Sequence, residues 1–396
     1  MINIDNSIEL LPRKEFFTTT WVRDIKLESA VFDLIDNSID AAKRIRGYKS
    51  LEGYEISLKI ENNTFVIRDN CGGITLDDAK SHVFRFGNDT TNSCEYDNIV
   101  GRYNVGMKRA MFKIGRLIEL ESHTDADHFK VKIDVDQWVK KQDWAIDLSE
   151  CCSSYINGTT IKITKINKGI KSEFNKKEYI SKLRQDIALK FKDCILKGIK
   201  IYLKEEGVLK LIKIGSKNDN NIIVYEKDIN INKFKGNVKV YKGIENMSEA
   251  GWNIYFNERL VVDTNKSKLT GWNLKLISDK YENIIFSEQY YGFRGYLNLN
   301  EKSNYSLPFT TTKDGLDKSH ENYEKILEIL VKAMKAVKIN FEKPDEVNIS
   351  YKRPRKEVEI LKVEFNVNSA KAVGEKTYDI HIGKSEKLSN NITIIR

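Results

Sequence analysis

Three carboxylates and an amide recur on one side of a predicted helix near the N-terminus. The stretch from Lys26 to Arg46 has the apolar periodicity of a helix and is followed by Gly47, a residue type that commonly closes helices. With side chains spaced by about 100° per residue, one face carries Asp33, Asp36, Asn37 and Asp40. Carboxylates this close repel one another unless a cation or a polar ligand lies there, so the face is a candidate ligand site. A solvated helix face is the alternative.

A carboxylate followed by glycines marks a second candidate position. Residues 54–60 and 65–67 alternate apolar and polar side chains around a turn, which predicts a β-hairpin. Asp69 follows this hairpin and precedes Gly72 and Gly73, which allow a sharp bend and the close approach of a flat ligand. Asp69 could accept a hydrogen bond from an exocyclic amine. An ordinary turn would instead use the carboxylate for local hydrogen bonds.

A glycine-rich stretch, residues 101–106, leads into a predicted helix that ends near Ile114. The unpaired N–H groups at the start of a helix suit phosphate oxygens, and Lys108 and Arg109 would add positive charge. The stretch is not a Walker A motif, because the Gly-Lys-Ser/Thr sequence is missing. Alone, this glycine spacing carries little information.

A sheet layered with helices is needed to position these motifs. Further strands are predicted at residues 117–121, 129–135 and 160–163, which completes a first domain over residues 1–167. Between the second and third motifs, the polar and turn-rich stretch from Phe84 to Asn98 predicts a mobile loop.

A second domain is predicted over residues 168–345, followed by a basic C-terminal extension over residues 346–396. It opens with a lysine-rich helix near residues 177–196 and closes with an apolar helix around Ile326 to Met334. Its predicted strands are residues 199–204, 222–225, 238–241, 252–256 and 292–299.

Taken in order, the three motifs resemble those of the GHKL ATPases, which include type II topoisomerases, heat-shock-90-class chaperones, histidine kinases, MutL proteins and microrchidia proteins. Residues 157–160, Asn-Gly-Thr-Thr before a strand, resemble the family's fourth motif. The chain looks most similar to bacterial microrchidia-like and MutL-like proteins. The resemblance implies an α+β fold, in which a Bergerat-fold α/β sandwich is followed by a transducer-type, ribosomal-protein-like α/β domain.

The resemblance also implies how the chain would hold ATP and Mg²⁺. Asn37 would coordinate Mg²⁺, with waters and phosphate oxygens completing an octahedral shell. Asp69 would accept the adenine amino proton with support from Thr159 through a shared water, and Gly73 would lie against the base. Asp33 would be the general base that orients the attacking water. The other implied nucleotide contacts are Asp40, Ala41, Ile74, Gly101, Asn104, Val105, Gly106, Met107 and Lys108.

Three positions depart from the family pattern. Asp33 stands where Glu is usual and is shorter by one C–C bond of about 1.5 Å, so we expect slow hydrolysis. Cys71 replaces the first glycine of the second motif. Asn104 replaces a lid glycine, although Asn tolerates positive φ better than most residues.

The second predicted domain carries a further part of the resemblance at residues 307–316, Leu-Pro-Phe-Thr-Thr-Thr-Lys-Asp-Gly-Leu. In gyrase-like and MutL-like members a lysine on such a loop reaches the γ-phosphate, and Lys313 matches that catalytic lysine. The alternative is a surface turn that ends in Asp-Gly. Residues 251–260 resemble a stretch of microrchidia-like ATPases without an assigned role, and we expect Trp252 to be structural core.

These features predict an ATP-gated conformational switch. The chain would form a homodimer on ATP through its aromatic N-terminal segment, Phe16 to Trp21, and would signal to an effector protein or to nucleic acid, in DNA processing or antiviral defence. The alternative is a subunit that binds ATP without hydrolysing it and serves a structural role in a larger complex.

Composition argues against a membrane protein but leaves nucleic-acid binding open. No stretch approaches the length of about 20 apolar residues that crosses a bilayer, so we expect no membrane partner. Five cysteines without a CxxC pair, and the lack of a secretory signal, predict a cytoplasmic protein. A net charge of +9 is compatible with nucleic-acid binding, but an AT-rich genome that favours Lys codons would explain it equally well.

Overall fold

Two β-sheets position the candidate residues in the computed structural model, which describes residues 12–47, 50–61, 63–87, 105–151, 156–214, 221–231, 234–274, 284–301, 307–341, 347–352 and 358–363. Backbone contacts divide the chain into two units, residues 1–337 and 338–396. Both sheets that concern the site belong to the first unit.

Within the described residues, the α-helices are α1 Leu27–Arg46, α2 Leu76–Asp78, α3 Gly106–Ile114, α4 Val135–Trp138, α5 Lys168–Phe174, α6 Lys177–Lys190, α7 Lys192–Leu196 and α8 Tyr323–Phe341. The β-strands are β1 Glu55–Glu61, β2 Thr64–Asp69, β3 Gly115–His123, β4 His128–Asp134, β5 Asp147–Glu150, β6 Gly158–Ile166, β7 Lys200–Glu205, β8 Val208–Leu211, β9 Ile222–Ile231, β10 Phe234–Lys242, β11 Gly251–Phe256, β12 Arg259–Asn265, β13 Phe293–Asn300, β14 Val347–Lys352 and β15 Val358–Val363. Short π-helical and 3₁₀ segments are Phe16–Thr20, Ala79–Val83, Lys268–Thr270 and Glu288–Tyr290. None of the described helices is long and apolar enough to span a bilayer.

The first sheet has the strand order β5-β4-β3-β6-β2-β1-β7-β8. The predicted β1–β2 hairpin is confirmed, and its register sets Ile56 opposite Asp69 at the end of β2. Alternate residues such as Leu58 and Ile67 are buried, and they share one core with the apolar residues of α1. The sheet and α1 therefore form two layers, and the end of β2 carries Asp69 to their edge.

Strand β7 belongs to this first sheet, so the expectation that it lies in the second predicted domain's sheet is wrong. β7 pairs in parallel with β1, with Ile201 opposite Ile56, and β8 extends the same edge. Alternating side chains predict that a strand exists but not which strand it pairs with, and a parallel partner is always remote along the chain. The predicted helix over residues 177–196 is also interrupted, because α6 ends at Lys190 and α7 begins at Lys192.

The second sheet has the order β12-β11-β13-β10-β9. Trp252 and Trp272 are completely buried and both contact Phe293, as expected for structural core. The turn between β11 and β12 reaches α1, where the Lys43 ammonium donates to the Asn257 carbonyl at 3.1 Å. The expected α+β class is therefore confirmed, with the second sheet contacting the helix that carries the candidate carboxylates.

The second unit contains one antiparallel pair, β14 and β15, with Val347 opposite Val363. The predicted boundaries at residues 167 and 345 stay predictions.

Candidate functional site

A cavity of about 160 Å³ lies where α1, the end of β2, the start of α3 and the loop at residues 310–314 meet. Most predicted site residues in the described part of the chain line it: Asp33, Asn37, Asp40, Ala41, Asp69, Gly73, Ile74, Val105, Gly106, Met107, Thr159 and Lys313. The exception is Lys108. Gly101 and Asn104 lie outside the described residues, as does most of the predicted mobile loop.

Asp69 is held at the end of β2 by three hydrogen-bond donors. The Ser38 hydroxyl donates to Oδ2 at 2.6 Å, and the backbone N–H groups of Cys71 and Thr159 donate to Oδ1 at 2.9 and 3.2 Å. Burial raises the pKa of Asp69, while these donors act in the opposite direction. An ionised carboxylate offers about four lone-pair positions, so Asp69 can accept one further hydrogen bond from a ligand in the cavity.

The glycines after Asp69 form the sharp bend that the sequence predicts. Gly73 has φ +73°, and a Cβ there would lie 2.2 Å from the backbone oxygen of His123. Only glycine fits so close to β3. The Ser122 hydroxyl then fixes Ile74, because it accepts from the Ile74 N–H at 2.7 Å and donates to the Ile74 carbonyl at 2.9 Å. This turn therefore gives the cavity a fixed wall of backbone beside Asp69.

The polar face of α1 is buried and paired with cations, so the solvated-face alternative is wrong. Asp33 and Asp36 are each 2% exposed. The Lys313 ammonium lies between them, 3.2 Å from Asp33 Oδ1 and 3.0 Å from Asp36 Oδ2. The loop at residues 310–314, which follows the second sheet along the chain, thus supplies the cation that these carboxylates require, and because Lys313 is buried the surface-turn alternative is wrong as well.

Two arginines complete this cluster, and neither was among the predicted site residues. Arg259, at the start of β12, donates from Nε to Asp36 Oδ1 at 3.0 Å. Arg109, on α3, lies 3.5 Å from Asp33 Oδ2. The sequence placed Arg109 beside the phosphate motif as a general positive charge. Arg259 lies in a stretch to which the resemblance gives no role, and its partner is 223 residues away.

The two aspartates differ in acidity although both are buried. Burial raises the pKa of Asp33, and the attraction of Lys313 only partly opposes this effect. Burial acts in the same direction on Asp36, but Arg259 and Lys313 together bring the pKa of Asp36 below its ordinary value. For Lys313, burial would lower the pKa, but Asp36 and Asp33 raise it. Of the two carboxyls, Asp33 therefore has the raised pKa and Asp36 the lowered one, which makes Asp33 the better candidate for proton exchange.

Asn37 offers an amide oxygen that could coordinate a nucleotide-bound Mg²⁺ and an amide nitrogen that could donate a hydrogen bond to a ligand. Its side chain lines the cavity, and its amide nitrogen is buried without a hydrogen-bond partner among the described residues. A buried amide with an unfilled hydrogen bond fits a site that is completed by a ligand. No cluster of three or more His, Cys, Asp or Glu side chains in the described part of the chain could hold a metal by itself. Any Mg²⁺ at Asn37 would therefore take its remaining oxygens from phosphates and water.

Helix α3 begins against Asp33. A Cβ on Gly106 would lie 3.1 Å from the Asp33 carboxyl carbon, so the helix start and its free N–H groups reach the cavity wall. Lys108 points elsewhere: its ammonium donates to the Val83 carbonyl at 2.5 Å and lies 5.5 Å from the centre of the Phe86 ring. Burial lowers the pKa of Lys108 to about 7. Its predicted phosphate contact stays a prediction.

Three further polar residues that line the cavity were not among the predicted site residues: Ser38, Arg44 and Thr311. Arg44 lies one helical turn after Asp40, so the periodicity of α1 could have indicated it, whereas Ser38 directly follows Asn37 and lies about 100° away around the helix. Thr311 has no such indication, because it reaches the cavity only through the fold of the Lys313 loop.

The aromatic N-terminal segment packs on its own chain. Phe17 stacks on Phe86 with ring centres 4.4 Å apart and meets Trp144 edge to face. Lys14 is buried, donates to the Trp138 carbonyl at 2.9 Å and lies over the Trp138 ring. The segment from Lys14 onward is thus anchored against Phe86, at the start of the predicted mobile loop.

Comparison with known proteins agrees with this geometry. Residues 25–168 match the family model described as histidine kinase-, DNA gyrase B-, and HSP90-like ATPase. Among curated proteins, no match to the chain is found. The matched segment contains α1, the Asp69 turn and α3, but it ends before Lys313 and Arg259. Residues 25–168 are therefore an ATPase domain of the histidine kinase, DNA gyrase B and HSP90-like family.

Proposed function

We propose that the chain is an ATP-gated conformational switch that binds ATP with Mg²⁺, hydrolyses it slowly and passes its nucleotide state to a partner. The observation that carries this proposal is that one cavity is lined both by Asp69 and by the Asp33–Lys313 pair. Helix α1 joins the two: Ser38 bonds Asp69, and Asp33 lies five residues earlier, about 7.5 Å along the helix axis.

At the Asp69 end, the adenine ring would lie against the backbone wall at Gly73. Its amino group would donate to the lone pair that the three protein donors leave on Asp69. Thr159 would contribute through its backbone N–H, which contacts Asp69 at 3.2 Å.

At the Asp33 end, the phosphates would lie at the start of α3 and beside Lys313. Free N–H groups at a helix start and a lysine both favour anionic oxygens. Asn37 would hold Mg²⁺, which when bound neutralises part of the phosphate charge. Gly101 and Asn104 would contact the same phosphates from the glycine-rich stretch, and Lys108 would do so from α3 once its ammonium leaves the Val83 carbonyl.

Asp33 would be the general base, because it is the more readily protonated of the two aspartates and reaches the start of α3.

A second candidate function, ATP binding with negligible hydrolysis, is favoured by the contacts that Asp33 makes with Lys313 and Arg109. Two cations on a short carboxylate hold it away from an attacking water. Phosphate release from ATP, measured at saturating ATP and Mg²⁺, decides between the two functions.

The output of the switch would be dimerisation and contact with an effector protein or nucleic acid. Lys313 supports this proposal, since its loop follows β13 of the second sheet along the chain and would connect that sheet to the phosphates. A role in antiviral defence or DNA processing rests on the resemblance to microrchidia-like and MutL-like proteins and on the net charge of +9.

The adenine contact is tested with Asp69→Asn. Asn would present an amide N–H or a weaker acceptor to the adenine amine, and leaving that amine unpaired costs about 1–3 kcal/mol. Titration calorimetry should show ATP affinity falling at least about tenfold. Asp134→Asn is the matched control, because Asp134 also ends a strand and accepts from backbone N–H groups, those that begin α4. Equal affinity in Asp69→Asn and wild type would exclude Asp69 as the adenine acceptor.

A further inference from the structure

The two carboxylates Asp33 and Asp36 on α1 form ion pairs with more cations than there are carboxylates between them, and the third buried carboxylate of this face, Asp40, also acts on Lys313. Asp33 and Asp36 face three cations, Lys313, Arg109 and Arg259. Lys313 contacts both carboxylates, whereas each arginine contacts only one. If Lys313 is removed from the count, one arginine remains for each aspartate. Removing one partner from a buried ion pair is strongly destabilising when it leaves a charge uncompensated. The number of cations per aspartate therefore decides whether Lys313 can leave the cluster.

Arg259 is fixed in its place beside Asp36. Its guanidinium lies 4.6 Å from the ring centre of Phe191 and 5.3 Å from that of Phe32. It also donates to the carbonyl of Leu260 at 3.2 Å. Aromatic rings and a backbone contact hold the planar group, so Arg259 stays with Asp36 when neighbouring charges move.

Arg109 has a comparable arrangement beside Asp33. Its guanidinium donates to the Thr311 carbonyl at 3.1 Å and lies 5.6 Å from the ring centre of Trp21. Arg109 is attached to α3, and Arg259 is attached to β12. The two arginines therefore come from different elements, and neither belongs to the loop that carries Lys313.

We propose that Arg259 and Arg109 are resident counter-ions that allow Lys313 to leave the two aspartates for the phosphates of ATP. This inference rests on the proposed function, in which Lys313 contacts the triphosphate. Without Arg259, the departure of Lys313 would leave the buried Asp36 carboxylate without a counter-ion. With Arg259 in place, Lys313 can exchange one anion for another. Arg259 is thus a positioning residue that acts through Asp36 and Lys313.

Replacing Arg259 should therefore remove the preference for triphosphate. In Arg259→Gln, Asp36 has only Lys313 as a cation and retains it. Titration calorimetry with Mg²⁺ and the β,γ-imido analogue of ATP should show affinity falling at least about tenfold, while ADP affinity stays within about twofold. Arg259→Lys keeps a cation beside Asp36 and should keep the triphosphate preference.

A double variant separates charge from packing. Arg259→Gln combined with Asp36→Asn removes both the resident counter-ion and the charge that retains Lys313, so the triphosphate preference should return. If the double variant shows the same loss as Arg259→Gln, the loss comes from packing and the proposal is overturned. Should Arg259→Gln fail to fold, the double variant and Arg259→Lys are each compared with wild type; both should keep the triphosphate preference, and its loss in either would overturn the proposal.

Arg294→Gln is the matched control for a buried arginine. Arg294 belongs to the same sheet and donates to the Tyr291 and Ile244 carbonyls at 2.8 and 2.7 Å, away from the aspartates. Its loss should leave unchanged the ratio of the affinity for the β,γ-imido analogue of ATP to the affinity for ADP. A wild-type protein that binds neither nucleotide would overturn the proposed function together with this inference. A wild type that binds both nucleotides, with the same affinity ratio in Arg259→Gln, would overturn the inference alone.

Discussion

Two carboxylates of the same type, one helical turn apart, are made chemically different by their neighbours. Asp36 meets Arg259 at 3.0 Å, whereas the arginine beside Asp33 is 3.5 Å away and also bonds the Thr311 carbonyl. Pairs of titratable groups whose environments separate their pKa values commonly mark an acid or base and its fixed partner. At the residue scale, Asp36 is the fixed charge and Asp33 the exchangeable one.

Asp33→Asn should therefore remove hydrolysis and preserve nucleotide binding. Loss of a general base costs about 10²–10⁴ in rate, and the adenine contacts at Asp69 are untouched. Steady-state phosphate release together with calorimetry gives the two quantities. If the variant hydrolyses ATP at the wild-type rate, the base lies elsewhere, and Asp36 becomes the next candidate.

The same assignment gives the wild-type turnover a defined pH dependence. Asp33 must be ionised to act as a base, and burial raises its pKa above the ordinary value. Turnover at saturating ATP should fall as the pH drops through that raised pKa, at a higher pH than an exposed aspartate would give. A profile that stays flat down to about pH 4 would contradict this role, because even an ordinary Asp titrates there.

At the scale of elements, the sequence predicted those features that depend only on the local pattern of apolar and polar residues. The apolar periodicity of α1 and the alternation in β1 and β2 are local, so the helix, the hairpin and the position of Asp69 followed from them. Motif order then predicted roles for Asp33 and Asn37, which stay predictions. The partners of α1 could not be predicted, because Arg259 and Lys313 reach it across the fold from residues more than 200 positions away.

The loop that carries Lys313 has a conformation that suits a sensor. Lys313 has φ +54°, a left-handed value that is uncommon for residues other than glycine. The Asp314 carboxylate accepts from the hydroxyls of Thr310 and Thr312, and the Lys313 N–H donates to the Thr310 carbonyl at 2.9 Å. These bonds hold the strained backbone and direct the side chain toward α1.

Lys313→Ala should weaken binding of a non-hydrolysable ATP analogue by about tenfold or more and leave ADP affinity nearly unchanged, because only the analogue carries a γ-phosphate. Calorimetry with both nucleotides measures the ratio. Lys318→Ala, an exposed lysine on the same segment, is the control. Equal losses for the two nucleotides would show that Lys313 acts through folding and not through phosphate contact.

At the scale of the whole molecule, the N-terminal segment limits how a dimer could form. Lys14 is buried and Phe17 packs on Phe86 of the same chain, so the segment from Lys14 onward caps its own domain. This packing competes with the hypothesis that Phe16 to Trp21 cross to a second subunit when ATP binds. Any part that crosses to a second subunit would come from the residues before Lys14.

Light scattering tests ATP-dependent dimerisation at a fixed protein concentration. With Mg²⁺ and a non-hydrolysable ATP analogue, the mass should rise from 45.9 kDa toward twice that value, and it should not rise with ADP or without nucleotide. Deletion of residues 1–13 should abolish the rise and preserve nucleotide affinity, since Lys14 to Trp21 stay packed. The same mass in all conditions would favour a binding protein without a gated dimer.

The parallel pairing of β1 with β7 has a consequence for how the chain is made. β1 is complete at Glu61, but its partner β7 begins at Lys200. During synthesis the outer edge of β1 therefore stays unpaired until more than 130 further residues have been added. A fragment that ended at residue 168, where the family match ends, would leave that edge unpaired. Unpaired edges template association with other chains, and pairing remote segments slows folding. The ATPase domain of this protein therefore completes its first sheet only after the crossover helices and β7 have emerged.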